Sequence, residues 1–136
     1  MTEKTLAIIK PDAVKKRVIG KIIQRIEDEG FTIIRMRMAH LSPEEAKGFY
    51  AVHKDKKFFA SLTEFMSSGP VVLMVLEAEG AINRCREVMG ATDPALAKDG
   101  TLRHTYGFSI ERNACHGSDA RETAEWETKY FFPPEK

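Results

Sequence analysis

His116 is the residue around which chemistry can be built; it sits in the run Asn113-Ala114-Cys115-His116-Gly117-Ser118-Asp119. An imidazole is a usable nucleophile near neutral pH when a third group orients one of its two nitrogens. Gly117 behind it permits close approach of a ligand or unusual backbone angles. Ser118 and Asp119 have the chemistry of helix caps, and the free N–H groups of a helix start attract anions and disfavour added positive charge. A structural histidine beside a turn fits the same local pattern, and the run alone leaves both readings open.

Other pairings in the run do less. Cys115 and His116 cannot form a thiol–imidazole dyad in extended chain, because neighbouring side chains point to opposite faces. The two cysteines and four histidines show no zinc-ligand spacing, so Cys85 and Cys115 read as small buried hydrophobes. His40, His53 and His104 read as surface or structural residues. Lys10, Arg86 and Arg103 could meet phosphate or could equally be ordinary solvated cations. Phe58 and Phe59 would by default be core aromatics, and Lys54-Asp55-Lys56-Lys57 a solvated turn. No GxxxxGK[ST] loop is present, so a nucleotide would need another cradle.

The elements that must position these residues follow from periodicity. Thr5 to Lys10 is apolar on both faces and stopped by Pro11, which reads as a buried strand. The helix after it carries Ile19, Ile22, Ile23 and Ile26 on one face and stops at Gly30. Phe31 to Ala39 alternates, with Ile34, Met36 and Met38 against Arg35 and Arg37, as a half-solvated strand does. Ser42 and Glu45 have capping-box spacing, with Pro43 at the first helical position. A further helix runs from about Phe58 to Ser68-Gly69-Pro70, and Val71 to Leu76 is a second strand apolar on both faces. Ile82, Cys85 and Met89 share a helical face that ends at Gly90.

From Gly90 to Asn113 no long periodic element survives, although Tyr106, Phe108 and Ile110 alternate and allow a short strand. The last helix starts at Ser118-Asp119, and Phe131-Phe132-Pro133-Pro134 ends it. This order predicts an α+β fold. Its form is a ferredoxin-like βαββαβ sandwich, a four-stranded antiparallel sheet with additional helices and a long loop at about 90–113. One domain over residues 1–136 is expected.

Composition narrows the class. With 21 basic against 20 acidic residues and 43% hydrophobic residues, neither disorder nor a strongly cationic nucleic-acid binder fits. The longest apolar run, Val71 to Leu76, falls far short of the ~20 residues that cross a bilayer. The N-terminus lacks the layout of a signal peptide. A soluble, cytoplasmic protein with no nucleic-acid or membrane partner is expected.

Taken together, the motifs resemble one family. Asn113 to Asp119 is similar to the N-x-x-H-G-S-D signature of nucleoside diphosphate kinases. Ile9-Lys10-Pro11-Asp12, Phe49-Tyr50, Phe58-Phe59, Ser68-Gly69-Pro70-Val71, Gly90-Ala91-Thr92, Gly100-Thr101-Leu102-Arg103 and Ala124-Glu125 follow the family's order and spacing. The resemblance implies that His116 takes the γ-phosphoryl of a nucleoside triphosphate and passes it to a nucleoside diphosphate in the same pocket. It casts Lys10, Arg86 and Arg103 as phosphate-neutralising cations, Thr92 as a hydroxyl donor to phosphate, and Asn113 with Lys10 as holders of the ribose. Tyr50 would lie near the histidine, and Glu127, braced by Ser118, would orient the other imidazole nitrogen. The base would stack on Phe58, beside Leu62 and opposite Ile110; stacking discriminates weakly among bases.

The resemblance further implies Mg²⁺ bound mainly through phosphates and water, and a homo-oligomer, tetramer or hexamer. It moves Tyr106 to Ile110 out of the sheet and into the long loop. Asp93 and Asp99 stand where many members carry asparagine and proline. Two readings from other classes compete. A ferredoxin-like nucleic-acid or nucleotide-binding module would show an aromatic-rich strand, which is missing here; a phosphohistidine carrier would be loaded by a partner protein instead of by ATP.

Overall fold

Two strands apolar on both faces form the middle of the sheet. The computed structural model describes residues 2–133 and pairs β1 (Thr2–Ile9) antiparallel with β3 (Val71–Glu79), from Thr2 opposite Glu79 to Ile9 opposite Val72. The strand order is β2-β3-β1-β4, all neighbours antiparallel, with β2 spanning Thr32–Ala39 and β4 spanning Cys115–Gly117. This is the expected ferredoxin-like sandwich.

The pleat of the two central strands feeds two cores. Ala7, Ile9, Val72, Met74 and Leu76 pack against α2 (Ile19–Asp28) and α5 (Ala81–Met89). Leu6, Ile8, Val71, Leu73 and Val75 pack against α3 (Pro43–Phe49), α4 (Phe59–Met66) and Phe131 of α7 (Arg121–Phe131). α3 begins as the sequence requires: the Ser42 hydroxyl accepts from the Glu45 N–H, and the Glu45 carboxylate accepts from the Ser42 N–H.

Several elements depart from the periodicity. The helix after β1 is two helices, α1 (Pro11–Lys15) and α2, because Arg17 turns left-handed at φ 64° between them. β2 is not buried on its apolar side. A bulge between Ile33 and Arg35 leaves Met36 and Met38 opposite Met74 and Val72, beyond the reach of the helices, 53% and 57% exposed. Arg35 and Arg37 instead lie over the Phe132 ring, at 5.3 and 5.4 Å from its centroid.

The stretch at 90–113 is not a continuous loop. It holds a single 3₁₀ turn at Pro94–Leu96 and α6 (Leu102–Tyr106), so Tyr106 ends a helix and Phe108 and Ile110 lie in the loop behind it. The unusual acids are used locally: Asp93 caps the turn by accepting from the Ala95 N–H, and Asp99 pairs with His104 at 2.7 Å. Gly90 sits at φ 89°, and a Cβ there would lie 2.5 Å from the Thr101 hydroxyl, so the α5 end and the α6 start can meet only at glycine.

The last helix also starts late. Its N-cap is Ala120, whose N–H donates to the Thr123 hydroxyl, so neither Ser118 nor Asp119 caps it. Ser118 still belongs to the sheet, with its N–H on the Leu6 carbonyl. Phe132 and Pro133 follow α7; Met1 at the other end and Pro134, with the rest of the tail, lie outside the described residues.

Candidate active site

β4 carries the histidine. Its pairing with β1 sets His116 opposite Ile8, and Cys115 and Gly117 face the other way, into the core under α5. A Cβ on Gly117 would meet the Met89 methyl at 3.0 Å and the Cys85 sulfur at 3.3 Å. That glycine therefore serves packing, and it also lines the cavity beside His116, where the sequence expects close ligand approach. Both cysteines are free and buried, and burial pushes the Cys85 thiol up to about 12 and the Cys115 thiol up to about 11. They are inert fillers, as their spacing suggested.

The imidazole is held from one side. Its Nε2 lies 2.9 Å from Glu127 Oε1, and the same oxygen accepts from the Ser118 hydroxyl at 2.7 Å. The Leu6 N–H donates in turn to that hydroxyl oxygen at 3.3 Å. A carboxylate only accepts, so Nε2 carries the proton and Nδ1 keeps its lone pair. Nδ1 has no hydrogen-bond partner among the described residues. The Phe49 ring stands edge-on to the imidazole with centroids 5.4 Å apart, which blocks rotation away from Glu127. Glu127 reaches this point because it lies on α7, which packs against β1.

His116 lines a cavity of about 580 Å³. Lys10, Arg86, Arg103, Thr92 and Asn113 line it too, as do Tyr50, Phe58, Leu62 and Ile110. The structure thus gathers every residue to which the resemblance gives a site role: ten on the cavity wall, with Ser118 and Glu127 directly behind the histidine. Sequence reasoning gave no site role to His53, Met89, Glu111 and Asp119, which also line it. Asp119 closes the motif itself, Met89 lies on the helical face that ends at Gly90, Glu111 follows Ile110, and His53, read as surface or structural, carried no signal.

Two of the three cations, Lys10 and Arg103, are fixed, each by different means, while Arg86 is exposed. Lys10 is 6% exposed, and its ammonium donates to Asn113 Oδ1 at 2.8 Å and to the Glu111 carbonyl at 3.4 Å. Burial and then the Arg103 guanidinium lower its pKa from 10.5 to about 8, against the opposing pull of Asp12 and Glu111. Arg103 donates to the carbonyls of Gly90 and Cys115 at 2.9 and 3.0 Å, which holds its planar fork beside β4. Asn113 donates to the Thr92 carbonyl at 3.0 Å, tying Lys10 to the loop after α5. Ala114 between Asn113 and Cys115 is left-handed at φ 76°, and its N–H is claimed by Asp12 Oδ2 at 3.0 Å. Burial raises the Asp12 carboxyl and the Tyr50 phenol.

Such a cavity is cationic at one end and aromatic and aliphatic at the other. It suits a ligand with a polyanionic tail and a flat apolar head, with one unengaged imidazole nitrogen on the wall. The family model for nucleoside diphosphate kinase matches residues 3–136. A nucleoside diphosphate kinase of Anaeromyxobacter sp. (strain Fw109-5) is 59% identical over 131 residues, 96% of this chain and 90% of its own length. That of Francisella tularensis subsp. mediasiatica (strain FSC147) is 58% identical over 130 residues, 96% of this chain and 93% of its own length. Among solved structures, the Aquifex aeolicus nucleoside diphosphate kinase superposes with a TM-score of 0.96 at 45% identity, covering 97% of this chain and 96% of that one. The Encephalitozoon cuniculi nucleoside diphosphate kinase does so with 0.94 at 37% identity, over 97% and 90%.

Proposed function

This chain belongs to the nucleoside diphosphate kinase family, and we propose that it exchanges γ-phosphoryl groups between nucleoside triphosphates and diphosphates through a phosphohistidine at His116. The observation that carries the reading is the divided imidazole: Nε2 engaged by Glu127, Nδ1 unengaged on the wall of a cationic cavity. In the first half-reaction the Nδ1 lone pair attacks the terminal phosphorus. An N–P bond forms, the bond from phosphorus to the β,γ-bridging oxygen breaks, and the nucleoside diphosphate leaves with that electron pair. Nε2 keeps its proton against Glu127, which balances the positive charge that grows on the ring. A second diphosphate in the same cavity reverses each step.

Lys10, Arg86 and Arg103 hold the phosphates, with Thr92 as hydroxyl donor, and the charge of Lys10 and Arg103, held in place before the reaction, needs no reorganisation during it. Asn113 and Lys10 meet the ribose, and Phe58, Leu62 and Ile110 take the base. Tyr50 closes the wall beside the histidine. Residues 1–136 act as one catalytic domain. The cavity's carboxylates among the described residues, Glu111 and Asp119, already accept from Ser61 and Thr123. This donor set fits Mg²⁺ that arrives on the nucleotide, held by phosphate oxygens and water, where it would offset phosphate charge.

The test is direct. Protein incubated with γ-labelled ATP should acquire an acid-labile, alkali-stable label that discharges onto purine and pyrimidine diphosphates alike. An acid-stable label, or one that no diphosphate removes, would refute the reading.

The cytoplasm is the proposed compartment, supported by two free buried thiols and by the absence of any membrane-length apolar helix among the described residues. A homo-oligomer, tetramer or hexamer, is also proposed. Its support is the apolar surface of Ile34, Met36 and Met38 along edge strand β2, which open solvent does not favour. A solution mass at four or six times that of the chain is expected. A monomer that stays monomeric at high concentration would remove this part.

A further inference from the structure

Glu111 is tied to both ends of the cavity. Its carbonyl accepts from the Lys10 ammonium at 3.4 Å. Its carboxylate accepts the Ser61 hydroxyl, with Oγ 2.7 Å from Oε2 and 3.0 Å from Oε1. Ser61 lies on α4, next to Leu62 and one turn from Phe58, while Ile110 adjoins Glu111 on the opposite wall. The two walls come from segments far apart in sequence, and the loop beyond α6 is otherwise bonded mainly to itself: the Phe108 and Ser109 N–H groups donate to the Arg112 carbonyl, and the Arg112 N–H to the Ser109 hydroxyl.

Across the gap, Arg112 lies over the Phe65 ring at 4.7 Å, a contact that fixes distance but not register. The directional bond is Ser61 to Glu111. Phe58 and Ile110 are 47% and 61% exposed, so neither is held in place by core packing.

We infer that Ser61 and Glu111 form a clasp that positions the base-binding walls: it sets the gap between Phe58 with Leu62 and Ile110, and so the affinity for the nucleoside base. The inference rests on the proposed function and deepens it. These are positioning residues, and the hydroxyl–carboxylate bond acts through Ile110 on a flat ring held by stacking and apolar contact. Because its other tie is a main-chain carbonyl, side-chain replacement at Glu111 leaves the acceptor for Lys10 in place.

Two phosphoryl donors separate the base slot from the phosphate end: ATP, and ribose 5-triphosphate, which has no base. Single-turnover labelling is measured against donor concentration in wild type, Ser61→Ala, Glu111→Ala, the double variant and Glu111→Gln. Half-saturation by ATP should rise three- to thirty-fold more than half-saturation by ribose 5-triphosphate in both alanine variants. The double variant should lose no more than the worse single one, since one interaction is removed either way. Glu111→Gln keeps an oxygen acceptor for Ser61 and should recover most of the ATP affinity. Equal losses toward both donors, or no loss toward ATP, overturn the clasp while wild-type labelling upholds the exchange reaction. A wild-type protein labelled by neither donor overturns both.

Discussion

His116→Ala protein is expected to take no label from ATP and to lose turnover by a factor on the order of 10⁴ or more. The loss should be this complete because no other nucleophilic group of the cavity is braced as His116 is: the second imidazole on the wall, His53, stands beside the Phe58 ring at 5.5 Å between centroids, with no carboxylate to orient it among the described residues. The Cys115 thiol is pushed up to about 11 and faces the core under α5, on the opposite side of β4 from the imidazole. The Tyr50 phenol is raised further by burial, so its anion is scarce at neutral pH. Lys10 is committed to Asn113 and to the Glu111 carbonyl. Alanine also leaves the sheet intact, since β4 bonds to β1 through backbone alone and the Ser118 hydroxyl still has Glu127. Thermal unfolding should therefore stay near wild type while labelling vanishes. Label that persists on another residue would transfer the nucleophile's role there.

What the sequence made legible was set by local rules. The two-faced strands at Thr5 and Val71 announced the centre of the sheet, because apolar residues at consecutive positions can all be buried only between two layers. The Ser42 capping box gave the start of α3 because its bonds close within four residues. The cavity residues were legible through motif spacing, not through periodicity, and the fold then brought them together.

The misses arise where the fold overrode the local preference or where the local pattern was too short to carry one. Ser118 looks like a helix cap, but its hydroxyl is claimed by Glu127 and the Leu6 N–H, so α7 begins later. Met36 and Met38 look like an inward face, yet the bulge and the edge position of β2 leave them outside. β4 spans only Cys115–Gly117, too short for any alternation to register. Glu111 was invisible because its partners, Ser61 and Lys10, lie 50 and 101 positions away.

Lys10→Met should weaken phosphoryl uptake from ATP by about 10- to 150-fold, the worth of one charged hydrogen bond, and it should change two pH profiles. The folded protein holds the Lys10 ammonium at a cost of ~3 kcal/mol near neutral pH, because burial and Arg103 drop its pKa from 10.5 to about 8. Phosphate in the cavity would relieve that cost by pairing with the cation. Wild-type nucleotide affinity should then fall as pH rises past about 8, where the amine becomes neutral, and titration calorimetry above that pH should show proton uptake on binding. Without ligand the sign reverses. Between about 8 and 10.5 the unfolded chain binds the proton that the folded one has released, so stability conferred by this site rises with pH across that window. In Lys10→Met both dependences should flatten over the same window. The substitution also strands Asn113 Oδ1, which loses its ammonium donor, so the gain from removing a buried charge should be smaller than the full cost of holding it. Urea midpoints at two pH values, about 7.5 and 9.5, with and without nucleotide, measure all of this. A wild-type affinity indifferent to pH over that range, or a Lys10→Met profile that copies wild type, would take the phosphate-binding role away from this lysine.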